Sequence, residues 1–260
     1  MNASVNQMQL PAEVSNPNLP TLRGYNARIG DDPRVSGFFT AKEALLTYEV
    51  GGAVDGLVSA MANRKDGSTE TLSEATRSAQ PSLDLDGGPK GRPALQFFTS
   101  GNDRLTASEA FPVGGDFFKA VVFKPGPTAT NEYLMYSGTG GNRHMLQLGI
   151  NDTALMRVGA SGSEAMVSLP FLPDAWNLVV GTWNDTTKTV GLSVNGGDFV
   201  FDTELSAAVT DTTNIISNGK LNDVLVSDLL WGAADLSLQE NSDLLAEIKA
   251  YAGNVLGVIA

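Results

Sequence analysis

Along most of the chain, apolar and polar positions alternate in short runs, each closed by Gly, Asn, Asp or Pro. KEALLTYEV, from Lys42, is the first such run and suits a first strand. GRPALQFF (91–98) and FFKAVVFKP (117–125) combine alternation with aromatic content, and Pro93 stands at a strand's opening, where a missing N–H is tolerated. EYLMYSG, HMLQLGI, ALMRVGA and AMVSLPF then follow at intervals of about ten residues, the spacing of short antiparallel strands in a sandwich. The clearest local signal is WNLVVGTWN (176–184), a polar DTTK turn and TVGLSVNGGDFVFD (189–202). Both halves alternate, and Asn195-Gly196 can hold positive φ at both positions, which predicts a tight hairpin turn of type I′. LNDVLVSDLLWGA (221–233) supplies one more strand, ending near Trp231.

The two ends depart from this pattern. Residues 1–40 hold Pro11, Pro17, Pro20 and Pro33 among Asn, Ser and Gly, with a sustained period of neither 2 nor 3.6, and read as an extended arm. An arm of this length needs something to lie on, a neighbouring subunit or its own domain. At the other end, Ser237 and Glu240 have capping-box spacing, Leu244, Ile248 and Tyr251 recur at helical spacing, and Gly253 is the expected stop. The fold class expected is therefore all-β: residues 1–40 as the arm, then residues 41–260 as one antiparallel β-sandwich with one short C-terminal helix.

Composition narrows the functions. With 42% hydrophobic and 18% charged residues the chain is that of a folded protein. A net charge of −12 repels phosphate backbones and anionic headgroups, so neither nucleic acid nor membrane is expected as a partner. Absence of cysteine excludes disulfides and thiolate metal sites. The N-terminal stretch lacks the basic and apolar regions of a secretory signal, and no apolar run is long enough to cross a bilayer, so synthesis and first folding in the cytoplasm are expected.

Three stretches in order, GRPALQFFTSGNDRLTASEAFPVGGDFFKAVVFKP, WNLVVGTWNDTTKTVGLSVNGG and DLLWGAADLSLQENSDLLAEIKAYAG, resemble the concanavalin A-like lectin/glucanase superfamily in its laminin G-like branch. The likeness spans roughly residues 42–255. It implies two antiparallel sheets in a jelly roll. Trp176 and Trp183, an odd number apart, then point to opposite faces, and an exposed indole on a sheet is a platform for sugar rings; the competing reading packs both indoles inside. The ligand-binding candidates are Trp183, Trp231, Arg143 and His144. Laminin G-like domains often bind calcium through loop oxygens, for which Asn102, Asp103, Asn151 and Asp152 are the candidates; no other cofactor is implied.

Glucanases of the superfamily use E-x-D motifs, and this chain contains none; its nearest approach, Glu240 to Asp243, falls on the expected helix. A nucleophilic triad fails for want of cysteine and with His144 as the single imidazole. A lyase needs a Tyr or His base beside neutralising Arg, Gln or Asn, and Arg143, His144 and Gln147 form the one such cluster in the sequence. Laminin G-like domains occur on the tails, fibres and capsid surfaces of bacteriophages, so what the resemblance implies is a non-enzymatic virion surface protein, a capsid decoration, fibre or tail component assembled in the host cytoplasm. It would join other virion subunits through the arm, form a homo-oligomer and present a lectin-like face to host-surface glycans. The alternative is a free carbohydrate-binding module or a polysaccharide-degrading enzyme of the same superfamily.

Overall fold

The computed structural model describes residues 24–49, 52–127, 131–137 and 141–258. Its elements run in the order α1 (Tyr25–Asp31), β1 (Val35–Thr40), β2 (Ala44–Glu49), β3 (Gly52–Ala62), β4 (Thr71–Ser73), β5 (Ser82–Asp84), β6 (Ala94–Phe97), β7 (Leu105–Ala107) and β8 (Phe117–Lys124). They continue with β9 (Glu132–Tyr136), β10 (Arg143–Gly149), β11 (Thr153–Ala160), β12 (Ser163–Pro170), β13 (Asn177–Asn184), β14 (Thr189–Val194), β15 (Val200–Thr203), β16 (Ile215–Ser217), β17 (Val224–Gly232) and α2 (Ser242–Ala250).

All the strand pairings are antiparallel, and they build two sheets. The first runs β15-β14-β13-β8-β17, with β1 and β6 sharing the far side of β17 and β5 beyond β6. The second runs β12-β11-β10-β9-β16-β7-β4-β3-β2, and a single pairing of Leu57 in β3 with Ser82 in β5 joins the two at one edge.

Alternation along β8 shows how the layers are filled. Phe117, Val121 and Phe123 point into the core between the sheets, while Phe118, Ala120 and Val122 point outward beneath the helices. The first sheet is thus buried on both faces, so its strands carry nearly continuous apolar runs. Tyr251, just past α2, sits edge-on to Phe38 with ring centroids 5.8 Å apart and donates its hydroxyl proton to Asp228 at 2.7 Å, pinning the helical layer to β17. Arg34 bridges Asp32 and Asp243, tying the α1–β1 junction to α2.

The arm expected over residues 1–40 needs correction in its second half; residues 1–23 lie outside the described residues. Residues 25–31 are helical, and residues 35–40 form β1, paired with Asp228–Gly232 of β17. The apolar run VSGFFT was masked by its glycine, which sequence reasoning takes as a break. Gly37 stands opposite Trp231, and a Cβ there would lie 2.2 Å from the indole; removing it lets the ring lie across the strand and stack on Phe39 at 5.0 Å. The first strand is accordingly β1, with the KEALLTYEV segment second.

At the other end, Ser237 does not cap the helix: its hydroxyl bonds Asp235, and α2 begins at Ser242 after a 3₁₀ turn. The helix also passes Gly253, widening into a π-turn over Tyr251–Leu256 and stopping at Gly257, whose φ is +70°. Asn195 and Gly196 do adopt positive φ, +52° and +77°, in the turn between β14 and β15.

Gly37→Ala is expected to lower unfolding stability by roughly 3 kcal/mol through overpacking against Trp231, read by urea denaturation. A variant as stable as the parent would show that the indole has room to move.

Candidate functional site

Since α1 and α2 pack on the outer face of the first sheet, the second sheet supplies the broad outward strand surface among the described residues. Leu146 and Leu148 of β10, Met156 and Val158 of β11, and Ala165 and Val167 of β12 belong to the inner core, so their sequence neighbours face outward. Strand register aligns these outward residues into two rows, Ile215-Tyr136-Met145-Arg157-Met166 and Ser217-Tyr133-Gln147-Leu155-Ser168.

Tyr133 and Tyr136 are an odd number apart and on a regular strand would face opposite sides. A bulge in β9, where pairing moves from Met135–Leu146 to Tyr133–Gln147, turns both onto the outward face. Their rings stack with centroids 4.5 Å apart and planes 24° apart. Beside them, Arg143 and Arg157 share one carboxylate: Arg143 Nη2 lies 3.2 Å from Glu164 Oε1, and Arg157 Nη2 lies 2.5 Å from Glu164 Oε2. Glu164 consumes part of each guanidinium and locks its direction.

The remaining polar atoms are under-used. Gln147 is 4% exposed, and its Oε1 meets no hydrogen-bond donor among the described residues. Nε of Arg143 and Nε of Arg157 likewise meet no acceptor. Buried polar atoms without partners are rare in folded proteins and mark places where water or a ligand completes the bonding. Burial raises the pKa of Tyr136, and neighbouring Tyr133 adds to this, while Arg143 opposes it. Its hydroxyl therefore stays protonated.

No protein-family model matches the chain, and no curated protein matches it in sequence. Solved structures share its fold. Domain 4 of AbnA, a GH43 extracellular arabinanase from Geobacillus stearothermophilus solved in complex with arabinotriose, aligns over 81% of this chain and 98% of its own at 12% identity, with a TM-score of 0.53. The structure of HCR/D-Sa-GBL1/C aligns over 74% of this chain with a TM-score of 0.50 at 12% identity. This chain covers 52% of that structure, about half its length. These likenesses establish the β-sandwich fold.

Several residues picked from the sequence stand elsewhere. Trp183 and Trp231, 0% and 1% exposed, lie in the core between the sheets and offer no indole to a sugar. Trp183 directs its N–H to Asp185, and Trp231 lays its face on Phe39. Trp176 packs against the outer cluster under the helices. His144, 0% exposed, points inward and stacks on Phe111 at 4.1 Å, so it is not on the face that Arg143 and Gln147 share. The Arg143–His144–Gln147 cluster is thereby split across one strand. Of the four ligand candidates Arg143 alone reaches the outward face; the tyrosines were missed because an irregular strand hides their common side.

The calcium candidates occupy two turns. Asn102 (φ +56°) precedes Asp103, a buried carboxylate that accepts the Phe98 N–H at 2.8 Å and whose pKa is raised by burial. Asp103 also borders a cleft of ≈ 290 Å³ with Arg77, Ser78 and Phe98. Asn151 and Asp152 shape the β10–β11 hairpin with φ of +56° and +52°. Among the described residues no three His, Cys, Asp or Glu side chains cluster to hold a metal, and no helix is long and apolar enough to cross a membrane.

Burial presses the His144 pKa well below 6.5. Above that pH neither folded nor unfolded imidazole carries the proton, and stability is full. As pH falls below 6.5 the unfolded chain gains a proton that the folded chain cannot hold, and stability drops by up to about 1.4 kcal/mol per pH unit. Glu70, pushed up to about 7 by burial and by Glu109, acts with the opposite sign in the same window. The pH slope lost in His144→Gln, measured by urea denaturation from pH 7.5 down to about pH 5, isolates the imidazole. Equal slopes in parent and variant would refute this assignment.

Proposed function

We propose that the chain is a non-enzymatic, lectin-like domain that binds glycans on the outward face of β9–β12. One observation carries this reading: a stacked tyrosine pair stands beside two guanidiniums held by Glu164 and a glutamine with an unpartnered oxygen. Aromatic edges and faces receive the apolar side of a sugar ring, and fixed amide and guanidinium groups receive its hydroxyls. The arabinanase domain that shares the fold was solved with arabinotriose, which supports a sugar as the class of ligand. A tyrosine held protonated suits hydrogen bonding to a ligand and opposes proton abstraction, in keeping with binding without turnover.

The finer reading carries this domain on a virion surface, as a capsid decoration, fibre or tail component attached through its N-terminal segment and oligomeric in that setting. Its support is positional: Gly24 opens α1 on the helix-covered side of the first sheet, so attachment there would leave the tyrosine face of the second sheet outward.

Glycan-array binding by the full chain should find an oligosaccharide ligand, with affinity falling roughly tenfold or more in Tyr133→Ala and Arg157→Ala while their melting temperatures stay near the parent's. A folded parent that binds no glycan defeats the binding reading, and depolymerised product would overturn the non-enzymatic part. Light scattering on the full chain tests the assembly reading, which expects an oligomer and fails on a stable monomer.

A further inference from the structure

Lys119 projects from β8 into the space between the sheets and is wholly buried. Its Nζ meets only neutral oxygens, the carbonyls of Met135 and His144 at 3.4 Å each and Asn214 Oδ1 at 3.3 Å, and lies 4.9 Å from the centre of the Phe111 ring. Among the described residues no carboxylate pairs with it. Three long bonds to neutral acceptors compensate an ammonium only in part for lost water, and burial drives the pKa well down against the opposing charge of Asp211, which favours the neutral amine. A neutral amine is a nucleophile.

The surroundings complete a reactive set. Asn214, immediately before β16 in the opposite sheet, is 1% exposed; its Oδ1 faces Lys119 Nζ, and its Nδ2 meets no acceptor. His144 stacks on the same Phe111 ring that Lys119 approaches. His144 Nε2 lies 2.9 Å from the Asp211 carbonyl oxygen, which only accepts, so the proton sits on Nε2 and Nδ1 keeps a bare lone pair. That Nδ1 is also buried without a partner. An amine, an amide and an open imidazole nitrogen are thus enclosed together in an apolar core.

We propose that Lys119 and Asn214 join in an intramolecular amide that ties the two sheets together. Lys119 Nζ adds to Asn214 Cγ, forming the Nζ–Cγ bond; the Cγ–Nδ2 bond breaks, and Nδ2 departs as ammonia. One proton passes from the amine to the departing nitrogen, with His144 Nδ1 as the relay, and nothing is oxidised or reduced. Holding nucleophile and carbonyl within hydrogen-bond distance in a rigid core replaces an encounter in solution with a short rotation of the asparagine amide. The product turns a buried lysine and an unpartnered amide nitrogen into one neutral linkage, removing two polar defects from the core.

The test is an intact-mass measurement on the folded full chain. The expected mass is below the sequence mass by one ammonia, and proteolysis should release a branched peptide joining the segments around residues 119 and 214. Lys119→Met and Asn214→Ala should retain full mass and yield no branched peptide, and His144→Gln should slow the mass loss after refolding from denaturant. An unaltered mass in the folded parent overturns the proposal, as does ammonia loss that maps to a succinimide at Asn195 or Asn218, each followed by glycine. The mass of the parent is decisive by itself, so a variant that fails to fold leaves the test intact.

Discussion

The indole of Trp231 lies against Gly37 and stacks on Phe39, and the layering of the molecule depends on that contact. It docks β1 beside β17, completing the sheet in which both faces are buried. With β1 in place, alternate residues of one strand serve two cores: Phe39 enters the inner cluster and Phe38 the outer one under Tyr251. A glycine at this position weakens a strand's intrinsic propensity by about 0.5–1 kcal/mol, and burial of a large aromatic pair outweighs that cost.

Covering one sheet with helices decides which sheet keeps an outward strand surface. The first sheet has no free face over β8, β13 and β17, and its strands read as continuous apolar runs. The second sheet alternates in burial along much of β11 and β12, with Met156, Val158, Ala165 and Val167 inward and Leu155, Arg157, Glu164, Met166 and Ser168 outward.

This division explains what could be read without coordinates. The strands, their antiparallel order and the terminal helix follow from period and turn residues, since alternation and punctuation are local properties. Strand β1 was hidden because Gly37 answers to an indole nearly two hundred positions away in sequence. The tyrosine pair was hidden by a bulge, which shifts parity by one and defeats any count along the chain. Tryptophans drew attention as sugar platforms on the strength of their chemistry, yet the largest apolar side chains also gain most from burial, and Trp183 and Trp231 went to the core. Arg143 was legible because an arginine on an alternating strand leaves the apolar side to its neighbours, and the same parity sends His144 inward.

The interior polar cluster has the opposite logic to the outward face. On the outward face, Glu164 holds two arginines beside unsatisfied polar atoms of Arg143, Gln147 and Arg157. Between the sheets, unpaired atoms of His144 and Asn214 gather around the buried Lys119. A methionine would fill the Lys119 position with no desolvation cost, and neighbouring inward positions on β8 are in fact Phe117 and Val121. Stability alone therefore selects against this lysine. What distinguishes it from an apolar replacement is an amine held 3.3 Å from the Asn214 amide oxygen, a group whose chemistry no hydrocarbon side chain could supply.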